Sequence, residues 1–366
     1  MAVLVENHDR IKAAILASRN VRFRIGSGLG IETFMKRLLL IKLRYIGDVI
    51  LSMPLLAPIK QHFPGVTITF VVNAGTEAVL RNNPFVDDVL ILPRMGLAHS
   101  LKFWRAIRQA QFETVVDLTD GDRSAFLSYW TGAERRLGFN RDNRWRGKFY
   151  THLLPSRYGS MHMVDYHAQA LVPLGVNDSV EDPKVFIGPQ DEEAGSQLLA
   201  SLSPGAKRVV LLFPSARYVF KAWPVERFAA LADWLGEQGM VTALIGTQKE
   251  MLIGQQIINL AKHKPVNLMG RTRLMALAGL MKRSAVMIGN DGGPMHLAAA
   301  VGCPILGLFG PSNPAVWGPR SKKAATIYKG LDCRSCFYPG CSRGEESCMR
   351  QIQVDEVCQA VTSLLS

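Results

Sequence analysis

The chain has 366 residues, 48% hydrophobic and 20% charged, which excludes a disordered or fibrous protein and gives length for two domains with separate cores. No uninterrupted apolar run reaches ~18 residues, and the opening MAVLVENHDR has early acids and no long apolar core, so neither a spanning helix nor a secretory signal is expected. A formal charge of +13 implies a polyanionic partner: nucleic acid, anionic lipid or a phosphorylated substrate.

Residues 1–36 read as an extension, either lying on a membrane surface or flexible. Ile11, Ala14, Ile15 and Ser18 share a helical stripe that Arg22 interrupts. Gly26, Gly28 and Gly30 precede the first strand and lack the G-x-G-x-x-G spacing, which excludes a dinucleotide fingerprint there. Residues 38–43 are a buried strand, and Arg44 to Asp48 is the turn after it. A helix over 49–62 is expected, with Pro54 near its first turn and a kink at Pro58. Strands over 66–72, 88–92 and 114–118 alternate with helices over 76–81 and 97–110. That alternation predicts a parallel sheet whose ligands gather beyond the strand C-termini, so Asp48 and Asp120 are placed in one crevice.

Residues 134–148 are the most basic stretch, with Arg135, Arg136, Arg141, Arg144, Arg146 and Lys148 among Phe139, Trp145, Phe149 and Tyr150. The mixture suits base stacking, a sugar-phosphate, or a solvated loop with aromatic anchors. A polar linker is expected over 176–189, separating a domain over 37–175 from one over 190–330. The second αβ series has strands at 208–213, 240–245, near 266, 286–288 and 304–309. Helices are expected at about 223–238, 250–262, 274–282 and 296–301. A Cys-rich loop (331–350) and a C-terminal helix (351–366) close the chain.

Residues 286–314, VMIGNDGGPMHLAAAVGCPILGLFGPSNP, run strand, glycine turn, helix, strand. That is the local geometry of a phosphate site, although an ordinary turn capped by Asp291 has the same outline. Two αβ halves imply a cleft, with Asp48 offered by the first half and Ser215, Lys221, Glu250, Asp291 and His296 by the second. A carboxylate opposite a cation and an anion site suits attack of a hydroxyl on an activated sugar with departure of a nucleoside diphosphate.

The segments Ile41-Lys42-Leu43-Arg44-Tyr45-Ile46-Gly47-Asp48, Pro214-Ser215-Ala216-Arg217 with Lys221-Ala222-Trp223-Pro224, and Gly289-Asn290-Asp291-Gly292-Gly293-Pro294-Met295-His296 resemble those of glycosyltransferase family 9, the lipopolysaccharide heptosyltransferases, over about residues 37–320. The resemblance implies an α/β GT-B fold: two Rossmann-like domains with parallel sheets facing across a cleft, the donor in the C-terminal one. It implies inverting transfer of heptose from ADP-heptose to the lipopolysaccharide inner core, with no cofactor required for transfer. By the same resemblance Asp48 is the general base, Lys221 is catalytic and contacts the diphosphate with Ser215, and Glu250 contacts the ribose. Asp291, Gly292, Gly293 and His296 complete the donor site. Arg44, Asp120, Arg141, Arg144 and Arg146 would face the acceptor, a lipid A-core polyanion, at the cytoplasmic face of an anionic inner membrane. Much of the family has Thr or Ser where this chain has Gly292. Asp117-Leu118-Thr119-Asp120 and Phe220-Lys221-Ala222-Trp223 look most like the third, branching-heptose type.

Other readings are a family 9 enzyme using another sugar nucleotide or acceptor, a nucleic-acid-binding protein, and a non-catalytic body with a zinc module. Cys333, Cys336, Cys341 and Cys348, spaced C-x2-C-x4-C-x6-C, could close around one structural zinc. Cys303 and Cys358 read as packing residues.

Overall fold

The computed structural model describes residues 35–93, 97–204, 208–331, 333, 336 and 341–366. The expected extension lies outside them up to residue 34. The chain forms two compact units that divide after Glu181, except that Gly159–Met163 belongs with the second.

The first unit is built on six strands: β1 (Arg37–Lys42), β2 (Thr67–Asn73), β3 (Asp88–Leu92), β4 (Thr114–Asp117), β5 (Arg135–Gly138) and β6 (His152–Leu153). They lie in the order β3-β2-β1-β4-β5-β6, all parallel. Helices cover the sheet, so β1 and β4 are buried almost end to end and read as apolar runs rather than alternating ones. Leu39, Ile41, Val71, Val115, Phe103, Ile107 and Leu127 form one core of this unit.

The second unit repeats the plan with β7 (Val209–Phe213), β8 (Val241–Leu244), β9 (Val266–Asn267), β10 (Val286–Asn290), β11 (Ile305–Phe309) and β12 (Ala324–Tyr328), ordered β12-β11-β10-β7-β8-β9 and again parallel. The C-terminal helix Val354–Leu365 packs its Val357, Cys358 and Val361 into the core around Trp223, Phe228 and Leu306. Cys303 is fully buried, and burial pushes its thiol up to about 12. Both cysteines are packing residues, as expected. The helices Pro189–Leu202 and Leu274–Arg283 cross at Gly195 and Gly279, where a β-carbon on Gly195 would stand 2.6 Å from the Gly279 Cα.

The strands fall where their apolar runs place them, but several helices differ. The single helix expected over 49–62 is broken into Ile46–Ile50, a 3-10 turn Met53–Leu55 and Leu56–His62. Pro54 sits in the 3-10 turn. Pro58 lies in the first turn of the last helix, where its missing N–H costs nothing. The helices Asp122–Thr131 and Pro189–Leu202 were not foreseen, nor were β5, hidden by its arginines, and β12.

Candidate active site

Each sheet reverses its winding between two central neighbours, β1 and β4 in the first unit, β7 and β10 in the second. The crevice beyond the C-termini of such strands is where doubly wound folds bind ligands.

In the first unit Thr119 ties the two strand ends together. Its Oγ1 accepts from Leu43 N–H at 2.8 Å and donates to the Ile41 carbonyl at 3.3 Å. Asp48 lies in the first turn of Ile46–Ile50, partly exposed, with Oδ1 3.8 Å from Lys42 Nζ. Lys42 is 3% exposed; Nζ donates to the Leu118 carbonyl at 2.7 Å and meets His167 Nε2 at 2.8 Å. His167 Nδ1 faces the Leu51 carbonyl at 3.0 Å. A carbonyl only accepts, so Nδ1 carries the proton and the neutral ring accepts from Lys42 through Nε2. The candidate base therefore has a fixed cation beneath it. Nothing local in the sequence marks His167; the signal for Lys42 is a charge inside the apolar run Leu38–Leu43.

Burial lowers Lys42 from 10.5 to about 8, with Asp48 opposing the change. The folded chain then holds this proton less tightly than the unfolded chain does. Its contribution to stability accordingly rises as pH climbs from about 8 to 10.5; below about 8 the full burial cost applies. Lys42→Met should abolish that rise, on the order of 3 kcal/mol. Urea unfolding of both proteins at a pH below 8 and at one near 10.5 tests this, and parallel pH trends would refute it.

Asp117, at the end of β4, is fully buried, and burial raises its pKa. It accepts from Tyr150 Oη at 2.6 Å and from Thr119 N–H at 2.8 Å. Gly138 leaves room for that tyrosine, since a β-carbon would lie 2.3 Å from its ring. Asp120 adopts φ 56°, and its Oδ1 accepts from Arg146 at 2.7 Å. Arg146 is 2% exposed and also donates to Asp122 at 3.1 Å. Burial alone would lower its pKa, but the two carboxylates outweigh that and hold it raised.

The basic stretch is thus not one cationic surface. Arg146 is buried structure. Arg135 donates to the Pro173 carbonyl, and Arg136 to the Phe149 and Ala133 carbonyls. Arg141, 3.4 Å from Asp120 and over the Tyr158 ring, and Arg144, 3.3 Å from Asp122, stay exposed. Arg44 is exposed and reaches the Thr119 carbonyl.

In the second unit Asn290, at the end of β10, is fully buried. Its Nδ2 donates to the Pro214 carbonyl at 2.7 Å and its Oδ1 accepts from Trp223 N–H at 3.0 Å. One amide thereby fixes both loops of the motif. Trp223 is buried and donates through its indole to the Ile352 carbonyl. Lys221 leaves this anchor as a short arm, donating to Asp291 Oδ2 at 3.1 Å and Ser312 Oγ at 2.5 Å. Ser215 is buried, and its Oγ has no hydrogen-bond partner among the described residues. The turn at Gly292 leads into the helix Gly293–Ala300, on which His296 is buried. A β-carbon on Gly292 would lie 2.8 Å from the Phe213 ring, which explains the missing hydroxyl residue: the ring holds its space. Glu250 folds back after β8, and its Oε2 accepts from Thr247 N–H at 2.5 Å and Thr247 Oγ1 at 2.8 Å. Asn290 and Ser312 were not foreseen as site residues, although both stand in the quoted stretch.

Cys336 and Cys348 have thiols raised first by burial, with Cys341 and Cys333 near enough to add to it. Among the described residues no three His, Cys, Asp or Glu side chains are gathered so as to hold a metal ion.

The model of glycosyltransferase family 9 (heptosyltransferase) matches residues 100–346. The chain belongs to glycosyltransferase family 9. It is a glycosyltransferase with a GT-B fold. This family 9 enzyme is 26% identical over 303 residues to lipopolysaccharide heptosyltransferase 3 of Escherichia coli K12, covering 79% of this chain and 86% of that one. Its fold matches the family 9 glycosyltransferase of Veillonella parvula with a TM-score of 0.79 at 25% identity, over 90% and 97% of the two chains. It also matches the E. coli ADP-heptose lipopolysaccharide heptosyltransferase II with a TM-score of 0.75 at 22% identity, over 90% and 98%. Among the described residues no helix of this enzyme is long and apolar enough to cross a membrane.

Proposed function

We propose that the protein transfers heptose from ADP-L-glycero-D-manno-heptose to the inner core of lipopolysaccharide, inverting the anomeric carbon without a metal in the transfer. The names of its relatives support the class of reaction. The observation that carries the donor half is the Lys221–Asp291–Ser312 cluster beside the unpartnered Ser215 hydroxyl and the glycine turn. A cation and an unsatisfied buried donor at the head of two parallel strands suit the oxygens of a diphosphate.

The acceptor hydroxyl oxygen bonds to the anomeric carbon as the bond from that carbon to the β-phosphate oxygen breaks. The proton passes to the Asp48 carboxylate, and ADP leaves with the electron pair. Asp120 and Arg146 shape the acceptor side, while Arg141, Arg144 and Arg44 meet the anionic core. His296 and Glu250 belong to the donor side. The enzyme works in the cytoplasm at the inner face of the inner membrane.

Incubation with ADP-heptose and purified inner-core acceptor should release ADP and add one heptose mass to the core. No added mass with ADP-heptose, but addition from another sugar nucleotide, would favour a different donor within the family.

A structural zinc on Cys333, Cys336, Cys341 and Cys348 is part of the proposal, supported by the spacing and by the nearness of these thiols. The ion would have to draw the ligands together and, bound by four thiolates, would leave no position for substrate. Elemental analysis should find about one zinc per chain, and chelation should lower stability. Metal-free, fully active protein with four reactive thiols would rule the site out.

A further inference from the structure

The first unit displays a largely exposed aromatic cluster, whose Trp104 also packs against the core. Trp104, Phe126, Tyr129, Trp130, Trp145 and Phe149 come from the helices Leu97–Gln109 and Asp122–Thr131 and the turn Trp145–Phe149. Their rings touch in one continuous set, Trp104 with Phe126 at 5.6 Å, Phe126 with Phe149 at 6.1 Å, Tyr129 with Phe149 at 5.1 Å and Trp145 with Phe149 at 5.4 Å. Phe126 is 41% exposed, Tyr129 51%, Trp130 41% and Trp145 58%. The opposite faces of the same helices supply the core through Phe103, Ile107 and Leu127. A contiguous exposed aromatic patch of this kind marks an interaction surface.

Its rim is basic. Lys102, Arg105, Arg108, Arg123 and Lys148 are exposed on these three segments. The one acid there is Asp122, which is already paired with Arg144 and Arg146. Exposed Trp and Tyr rings on segments that also carry exposed cations suit the headgroup zone of an anionic bilayer, where Trp and Tyr settle and Lys and Arg meet phosphate. Pairing with a second copy across a two-fold axis would set this basic rim against its own kind.

We propose that this aromatic patch with its basic rim is the surface by which the protein seats itself on an anionic lipid bilayer. The turn that carries Trp145 and Phe149 also carries Arg146, which Asp120 and Asp122 hold at the C-terminal end of β4. Seating the patch therefore brings the candidate acceptor end of the first sheet to the lipid surface. That consequence rests on the function proposed above; the binding itself does not.

Flotation with vesicles of phosphatidylethanolamine and phosphatidylglycerol tests it. The full-length protein should float with these vesicles, less so as salt rises, and not with phosphatidylcholine vesicles. Tyr129→Ser with Trp145→Ser, and Lys102→Gln with Arg105→Gln, should each weaken binding on the order of 10-fold or more. Both double variants should keep transfer to a lipid-free, water-soluble core acceptor, which also reports that they fold. Failure of the parent to float, or variants that float as it does, would overturn the proposal. So would sedimentation showing a dimer that the patch variants lose. If the parent floats and the variants do not, while no protein transfers heptose, the transfer reading fails and the bilayer surface stands.

Discussion

Asp48→Asn should lower turnover at least ~100-fold while leaving ADP affinity near the parental value, as expected when a general base loses its proton acceptor but keeps its shape. Asp48 is the acid in the first turn of its helix, and Tyr45, ahead of that helix, provides no side-chain cap. Its notable neighbour is the Lys42 ammonium at 3.8 Å, held by the Leu118 carbonyl and His167. Arg44, Asp117 and Asp120 also act on that lysine. Steady-state kinetics with an ADP titration on the variant check this. A folded Asp48→Asn protein that turns over near the parental rate removes Asp48 as the base.

Lys221→Ala should reduce both ADP affinity and turnover, the latter more strongly, because the leaving diphosphate gains charge in the transition state. The expected loss in kcat/KM is on the order of 100-fold, comparable with removing one donor from a preorganised anion site. Lys221→Arg should recover only part of it. The lysine spans Asp291 and Ser312 as a point charge on a short arm, and a planar fork does not match that geometry. Calorimetry with ADP and initial rates at saturating donor separate binding from transition-state stabilisation. Unchanged ADP affinity in Lys221→Ala would remove the diphosphate contact.

Much of this architecture is legible before any coordinates. Buried parallel strands are continuous apolar runs, so 38–43, 208–213 and 304–309 announce themselves. The glycine turn at Gly292 and the strand-end positions of Asp48, Ser215 and Asp291 follow from the same punctuation. The basic stretch misleads for an identifiable reason. Arginine reads as exposed charge, yet Arg146 is buried because two carboxylates 24 and 26 residues earlier in the chain face its guanidinium. The helix over 49–62 misleads because periodicity continues through Pro54, while the missing N–H interrupts the hydrogen-bond ladder.

The sequence by itself determined the two αβ halves and the residues at the strand ends, since these are local patterns of apolarity, glycine and charge, and the resemblance of its motif segments to family 9 pointed to the family. Only the tertiary structure decided the strand order that puts β1 beside β4 and β7 beside β10, and hence which ends share a crevice. It also decided the partners. Lys42 meets His167 across 125 residues, Lys221 meets Ser312 across 91, and Asn290 meets Trp223 across 67. Such contacts leave no periodic trace in the chain: a side chain's charge state and duty depend on what the packed fold sets against it once water is excluded.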